Sequence, residues 1–84
     1  MMLRKMMRRI LMFKTDIHML RWESGMKQEE LAQKVGVRRE TISALEKGRY
    51  NPSLKLAIDI AKVFGKNVEE IFHFIPDEDD DDED

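Results

Sequence analysis

The stretch Gln28–Ser53, QEELAQKVGVRRETISALEKGRYNPS, constrains the fold of this chain more than any other feature. It begins with Leu31, Ala32 and Val35 on one face at helical spacing, which predicts a short amphipathic helix. Gly36 follows, and glycine takes a positive φ without steric cost, so the chain can reverse direction there. The pattern therefore predicts a helix that ends at a tight turn.

A second helix after that turn has two contrasting faces. Ile42 and Leu45 form its buried side, and the small side chain of Ala32 lets the two helices cross closely. The opposite face is polar, with no obvious packing partner, and comprises Arg39, Glu40, Ser43, Ala44 and Lys47. A helix-turn-helix presents such a face to the major groove of DNA, whereas a generic helical hairpin leaves it merely solvated.

These residues resemble the Cro/repressor-type, or XRE-like, helix-turn-helix regulators typified by phage repressors. The resemblance extends from about Lys14 to Phe74. The matching residues are Gln28, Leu31-Ala32, Gly36-Val37, Thr41-Ile42-Ser43, Leu45-Glu46, Gly48 and Asn51-Pro52-Ser53. The resemblance implies an all-α fold, a compact five-helix lambda-repressor-like DNA-binding domain in which the third helix reads DNA.

Roles for individual side chains follow from the same resemblance. The base-facing residues it implies are Arg39, Glu40, Thr41 and Ala44. The phosphate-facing residues are Gln28, Arg38, Ser43, Lys47, Arg49, Tyr50 and Asn51. Arg21 and Glu46 stand where the family often holds a buried ion pair between the first and third helices, and the alternative is a loose surface pair.

Helix boundaries follow from caps and breakers. The first helix is expected to begin near Thr15 or Asp16 and to end at Gly25; the next two are expected at about 28–35 and 39–47. Ser53 is the expected N-cap of the fourth helix, which ends at Gly65 and has an apolar face of Leu54, Ala57, Ile58, Ala61 and Phe64. Asn67 and Glu70 predict a capping box for a last helix with apolar Val68, Ile71, Phe72 and Phe74.

Two helix starts depart from the family pattern. Lys27 and Arg38 occupy positions where the family usually has a Thr or Ser cap. Losing a capping side chain costs about 0.5–2 kcal/mol. The hypothesis is that these cations exchange stability for contact with the DNA backbone; the alternative is a missing cap compensated by packing.

A single domain of this size covers little DNA, so a homodimer is expected. The interface candidates are apolar side chains near the C-terminus and on the first helix, namely Trp22, Phe72, Phe74 and Ile75. The alternative is that these side chains only close the core of the monomer.

The charge of the chain is unevenly distributed. Residues Asp77–Asp84 are all acidic; without them, 15 basic residues face nine acidic ones, a net charge of +6 in place of −2.

We expect a basic extension at 1–13, the DNA-binding domain at 14–75 and an acidic disordered tail at 76–84. The extension is a disordered or DNA-seeking arm, a short amphipathic helix, a weak membrane-surface element, or sequence before a true start at Met12 or Met7. The tail either keeps the chain soluble or competes with phosphates for the DNA-binding surface.

Composition excludes several other classes. The chain has no cysteine, and His18 and His73 lack metal-ligand spacing, so no metal and no cofactor are expected. No run approaches the ~20 apolar residues of a membrane span, and no catalytic constellation is present. The sequence therefore predicts a cytoplasmic, non-enzymatic regulator, a repressor binding a palindromic operator. The alternatives are an antitoxin or protein-interaction module, with a toxin or effector as partner, and a transcription coactivator.

Overall fold

Five helices and two short strands form residues 13–74, the part of the chain that the computed structural model describes. In chain order they are β1 (Phe13–Thr15), α1 (Ile17–Ser24), α2 (Gln28–Val35), α3 (Arg39–Glu46), α4 (Leu54–Phe64), α5 (Val68–Ile71) and β2 (Phe72–Phe74). The architecture is mostly helical, as the sequence predicts, and α2 and α3 form the expected helix-turn-helix.

Glycines with a positive φ follow the ends of four helices, each of which lies within one residue of its predicted end. Gly36 has φ +75° and ends α2, so Val37 N–H can turn back to donate to the carbonyl of Ala32. Gly48 has φ +72°, and the N–H of Arg49 donates to the carbonyl of Ala44 at 3.1 Å. This motif closes α3 at Glu46, one residue before the predicted end.

The helix starts use several kinds of cap. Ser53 Oγ accepts a hydrogen bond from Leu56 N–H at 3.1 Å, as predicted. Glu70 provides its side of the predicted capping box, since its carboxylate accepts from Asn67 N–H at 2.8 Å. Asp16 precedes α1, but its side chain makes no cap hydrogen bond, and Thr15 Oγ1 accepts from Ile17 N–H at 3.3 Å instead.

A two-stranded antiparallel sheet joins the two ends of the described chain. Phe13 pairs with Phe74, Lys14 with His73 and Thr15 with Phe72. The prediction that Phe72 and Phe74 lie in the last helix is wrong, because α5 ends at Ile71. The rings of Phe13 and Phe72 meet edge to face, with centroids 5.6 Å apart. Phe13, assigned to the N-terminal extension, is thus part of the folded unit.

The core lies where α1 to α5 and both strands meet. Its fully buried large side chains are Phe13, Ile17, Leu31, Ile42, Leu45, Ile60 and Ile71. Ala32 is only 2% exposed, consistent with the close crossing of α2 and α3. The expected apolar face of α4 is partly wrong: Leu56 and Ile60 are buried, whereas Leu54 and Ile58 are exposed.

No helix among residues 13–74 has the length and apolarity to cross a membrane.

Candidate nucleic-acid interface

Helix α3 buries one side and leaves the other to solvent. Ile42 and Leu45 are completely buried and anchor the helix to the core. Of the four base-facing candidates, Arg39 and Glu40 are exposed, while Thr41 and Ala44 are half-buried. The N-terminal end of α3 therefore presents a long cation and a carboxylate, the side chains that hydrogen-bond to guanine and cytosine edges.

The phosphate-facing candidates flank α3 at both ends. Arg38 lies directly before the helix, and Lys47, Arg49, Tyr50 and Asn51 lie in the loop directly after it. These five side chains are exposed, while Gln28 at the start of α2 and Ser43 within α3 are half-buried. Cationic and hydrogen-bonding groups on either side of a groove-reading helix suit the two DNA strands that border a major groove.

The ion pair between Arg21 and Glu46 is present and connects α1 to the end of α3. Arg21 Nε donates to Glu46 Oε2 at 2.6 Å, and Arg21 Nη2 donates to Glu46 Oε1 at 3.1 Å. The two side chains are only 11% and 9% exposed, which excludes the loose surface pair. Arg21 Nη1 also donates to the carbonyl of Met26 at 3.0 Å, so three hydrogen bonds to two partners fix the guanidinium.

Hydrogen bonds continue from this ion pair to the exposed start of α3. Gln28 Nε2 donates to Glu46 Oε1 at 3.0 Å, and Arg39 Nη1 donates to Gln28 Oε1 at 3.1 Å. Arg39, a base-facing candidate, is thereby linked through Gln28 to a carboxylate that is only 9% exposed. A guanidinium held in one orientation loses less conformational entropy when it binds a base edge.

His18 has no predicted role in the sequence, but it is a member of this network. Its Nδ1 lies 3.1 Å from Arg21 Nη2 and 3.8 Å from Glu46 Oε1. Because a guanidinium has only donors, the contact requires an unprotonated Nδ1 that accepts. The sequence feature that could have predicted this contact is the position of His18 three residues before Arg21, which places both side chains on one face of α1.

The interface candidates have different surroundings in the monomer. Phe72 is only 7% exposed and packs on Phe13, so its side chain closes the monomer core and is not presented to a partner, which corrects the expectation. Trp22 is 76% exposed on α1. The side chain of Phe74 and all of Ile75 lie outside the described residues, as do the segment 1–12 and the acidic tail.

Ionisable side chains do not assemble into a metal site in residues 13–74: no three His, Asp or Glu side chains converge there. His73 Nε2 instead lies 3.1 Å from Asp16 Oδ2 across the start of α1, with both side chains about half exposed.

The turn between two crossing helices, the buried anchor of α3 and its polar outer face define a helix-turn-helix protein. A family model described as helix-turn-helix matches residues 17–71, so this chain belongs to the XRE-type helix-turn-helix family. It is similar to an uncharacterized HTH-type transcriptional regulator of Archaeoglobus fulgidus, with 61% identity over 73% of this chain and 87% of the relative.

Similarity extends to bacterial proteins. The transcriptional repressor RstR of the cryptic phage CTXphi of Vibrio cholerae is 38% identical over 71% of this chain and 54% of its own length. A crystal structure of the hypothetical transcription factor NHTF from Neisseria superposes with a TM-score of 0.60 and 31% identity. That match covers 66% of this chain and 62% of NHTF. The protein is a transcriptional regulator with a DNA-binding helix-turn-helix domain and is not an enzyme.

Proposed function

We propose that this regulator is a repressor that binds a palindromic operator as a homodimer and reads its sequence with α3. The observation that carries the proposal is the hydrogen-bond chain from Glu46, whose side chain is 9% exposed, through Gln28 to the exposed Arg39. A side chain held at the solvent-facing start of a helix by a buried scaffold is suited to reading a base. The similarity to a phage repressor supports repression as the direction of regulation.

Each exposed group has a chemical counterpart in the major groove. Arg39 offers two donors to guanine O6 and N7, a contact worth about 1–3 kcal/mol of discrimination. Glu40 accepts from cytosine N4, and Thr41 and Ala44 touch thymine methyl groups. Arg38, Ser43, Lys47, Arg49, Tyr50, Asn51 and Gln28 bind phosphates and fix the register of α3.

The first test selects binding sites from random double-stranded DNA with the full chain. Arg39→Ala should then lose its base preference at one position in each half-site, by roughly 5- to 150-fold. Arg49→Ala is the matched control, since it also removes an exposed arginine. It should weaken every sequence alike and reduce the slope of log K against log salt by about 0.9.

Gln28→Ala separates the holding of Arg39 from phosphate binding. It should lower affinity for all sequences and also reduce the base preference of Arg39, and this second effect should vanish in the Arg39→Ala background. Equal, sequence-independent losses from Arg39→Ala and Arg49→Ala would contradict base reading by Arg39.

A further inference from the structure

One side of α4 carries two apolar side chains that are exposed in the described residues. Leu54 is 74% exposed and Ile58 is 37% exposed, and their spacing of four residues places them one above the other. Lys55 and Asp59 lie beside them at the same spacing, with Lys55 Nζ 2.6 Å from Asp59 Oδ2. Leu54, Lys55, Ile58 and Asp59 are termed the α4 patch.

We propose that the α4 patch is the surface on which a second copy of this chain packs, with the two α4 helices antiparallel about a two-fold axis. The proposal rests on the proposed dimeric function and names the surface that forms the dimer.

The α4 patch is self-complementary under such an axis. In a two-fold interface, residue i of one copy contacts residue j of the other, and j contacts i. An axis through the middle of the patch sets Leu54 against Ile58 of the partner subunit, and Lys55 against Asp59 of the partner subunit. The apolar pairs form a small dry centre, while the opposite charges lie at the rim and fix the direction of the helices.

The exposed side chain of Met19 has surroundings that disfavour a second copy. Met19 is exposed on α1 and lines a groove of about 410 Å³. Three carboxylates and one ammonium line this groove, whose residues are Asp16, Met19, Leu20, Glu23, Lys66 and Glu70. A two-fold contact there would oppose like charges, which costs binding energy. The alternating charges of the α4 patch avoid that cost.

The position of the α4 patch also suits control of DNA spacing. Leu54 directly follows the 47–53 loop, which has phosphate-facing candidates and leads from the end of α3. A contact at the start of α4 therefore determines the distance between the two α3 helices, which must be about 34 Å for adjacent major grooves.

The first experiment measures the oligomeric state of the full chain by sedimentation equilibrium without DNA. Wild type should dimerise, and Leu54→Glu combined with Ile58→Glu should raise the dimer Kd at least ~100-fold. Trp22→Glu tests the rival surface, because Trp22 is the sequence-predicted interface candidate that stays exposed on α1, and it should leave Kd within about 3-fold. Far-UV circular dichroism checks that each variant is folded.

The second experiment reverses charges and leaves the apolar side chains unchanged. The Lys55→Glu chain carries two acids on the patch and the Asp59→Lys chain carries two bases, so each alone should self-associate more weakly than wild type. Mixed together, they should form a heterodimer more tightly than either forms a homodimer.

Three results would overturn the proposal: a monomeric wild type, loss of dimerisation in Trp22→Glu alone, or no gain on mixing the charge-reversed chains. Because these measurements contain no DNA, a wild type that dimerises through α4 but selects no sequence supports this interface and refutes the proposed function.

Discussion

Two ion pairs of the same length illustrate how burial determines the loss of stability when one charged partner is removed. Arg21 Nε lies 2.6 Å from Glu46 Oε2, and Lys55 Nζ lies 2.6 Å from Asp59 Oδ2. The first pair is about one-tenth exposed, whereas the Lys55 side chain is 83% exposed. Removing one partner of a buried pair leaves an uncompensated charge, while an exposed partner is simply rehydrated.

Glu46→Ala should therefore lower the free energy of unfolding by about 3–5 kcal/mol, because it leaves Arg21 charged and deprives Gln28 of its acceptor. Lys55→Ala, which breaks a pair of equal length, should cost under ~1 kcal/mol. Urea unfolding followed by circular dichroism, at a protein concentration below the dimer Kd, measures both losses in the monomer. Similar losses from the two variants would contradict the role of burial.

At the scale of helices, α2 and α3 begin with the backbone of a capped helix but without a capping acceptor. Lys27 and Arg38 have φ and ψ near −83° and 159°, and −82° and 156°. Ser53 has nearly the same backbone, and its hydroxyl accepts from Leu56 N–H. At Lys27, only the Glu30 carboxylate satisfies a backbone donor, accepting from Lys27 N–H at 2.9 Å. A Ser or Thr at either position would therefore have the backbone conformation that a capping hydroxyl needs.

Arg38→Thr should raise the free energy of unfolding by about 0.5–2 kcal/mol, since it supplies the missing acceptor. It should also weaken DNA binding and reduce its salt dependence, because a cation beside the backbone is lost. Lys27→Thr should give a similar gain by completing the box with Glu30, and Ser53→Ala should give a loss of that size. Thermal unfolding and DNA titrations in a salt series test these effects. Destabilisation by Arg38→Thr would show that its side chain contributes packing.

At the scale of the whole molecule, opposite charges are attached at one end of the fold. The register pairs Phe13 with Phe74, so the basic segment before β1 and the acidic segment after β2 join the sheet at neighbouring residues. The eight acids of Asp77–Asp84 bring the net charge from +6 to −2. A tethered polyanion acts at a high effective concentration on any cationic surface within its reach.

Deleting Asp77–Asp84 should strengthen non-specific DNA binding strongly at low salt and little at high salt, because exposed charges are screened beyond ~10 Å at 0.1 M ionic strength. Specific binding should strengthen less, so the ratio of specific to non-specific affinity should fall. Titrations of operator and scrambled DNA with full-length and shortened chains give this ratio. An unchanged ratio would favour a tail that acts only on solubility.

Local chemistry was sufficient to predict much of this fold. Glycines, caps and the spacing of Leu31, Ile42 and Leu45 identified five helices with ends correct to within a residue or two, except at the last helix. These signals act within one or two helical turns, so the helix ends can be predicted from the sequence alone. The family resemblance implies the ion pair between Arg21 and Glu46, whereas the low exposure of the two side chains is a property of the folded chain.

Tertiary structure alone decided features that depend on distant residues. Two apolar stripes run along α4, one with Leu54 and Ile58 and the other with Leu56 and Ile60, and either could face the core of a helical protein. Only packing against the rest of the fold buries Ile60 and exposes Leu54. Phe72 leaves the helical pattern because Phe13, far away in sequence, offers a strand and an aromatic ring to pair with. The link from Glu46 through Gln28 to Arg39 likewise joins the two ends of α3 through the start of α2, and such contacts have no local signature because they form only when the helices pack.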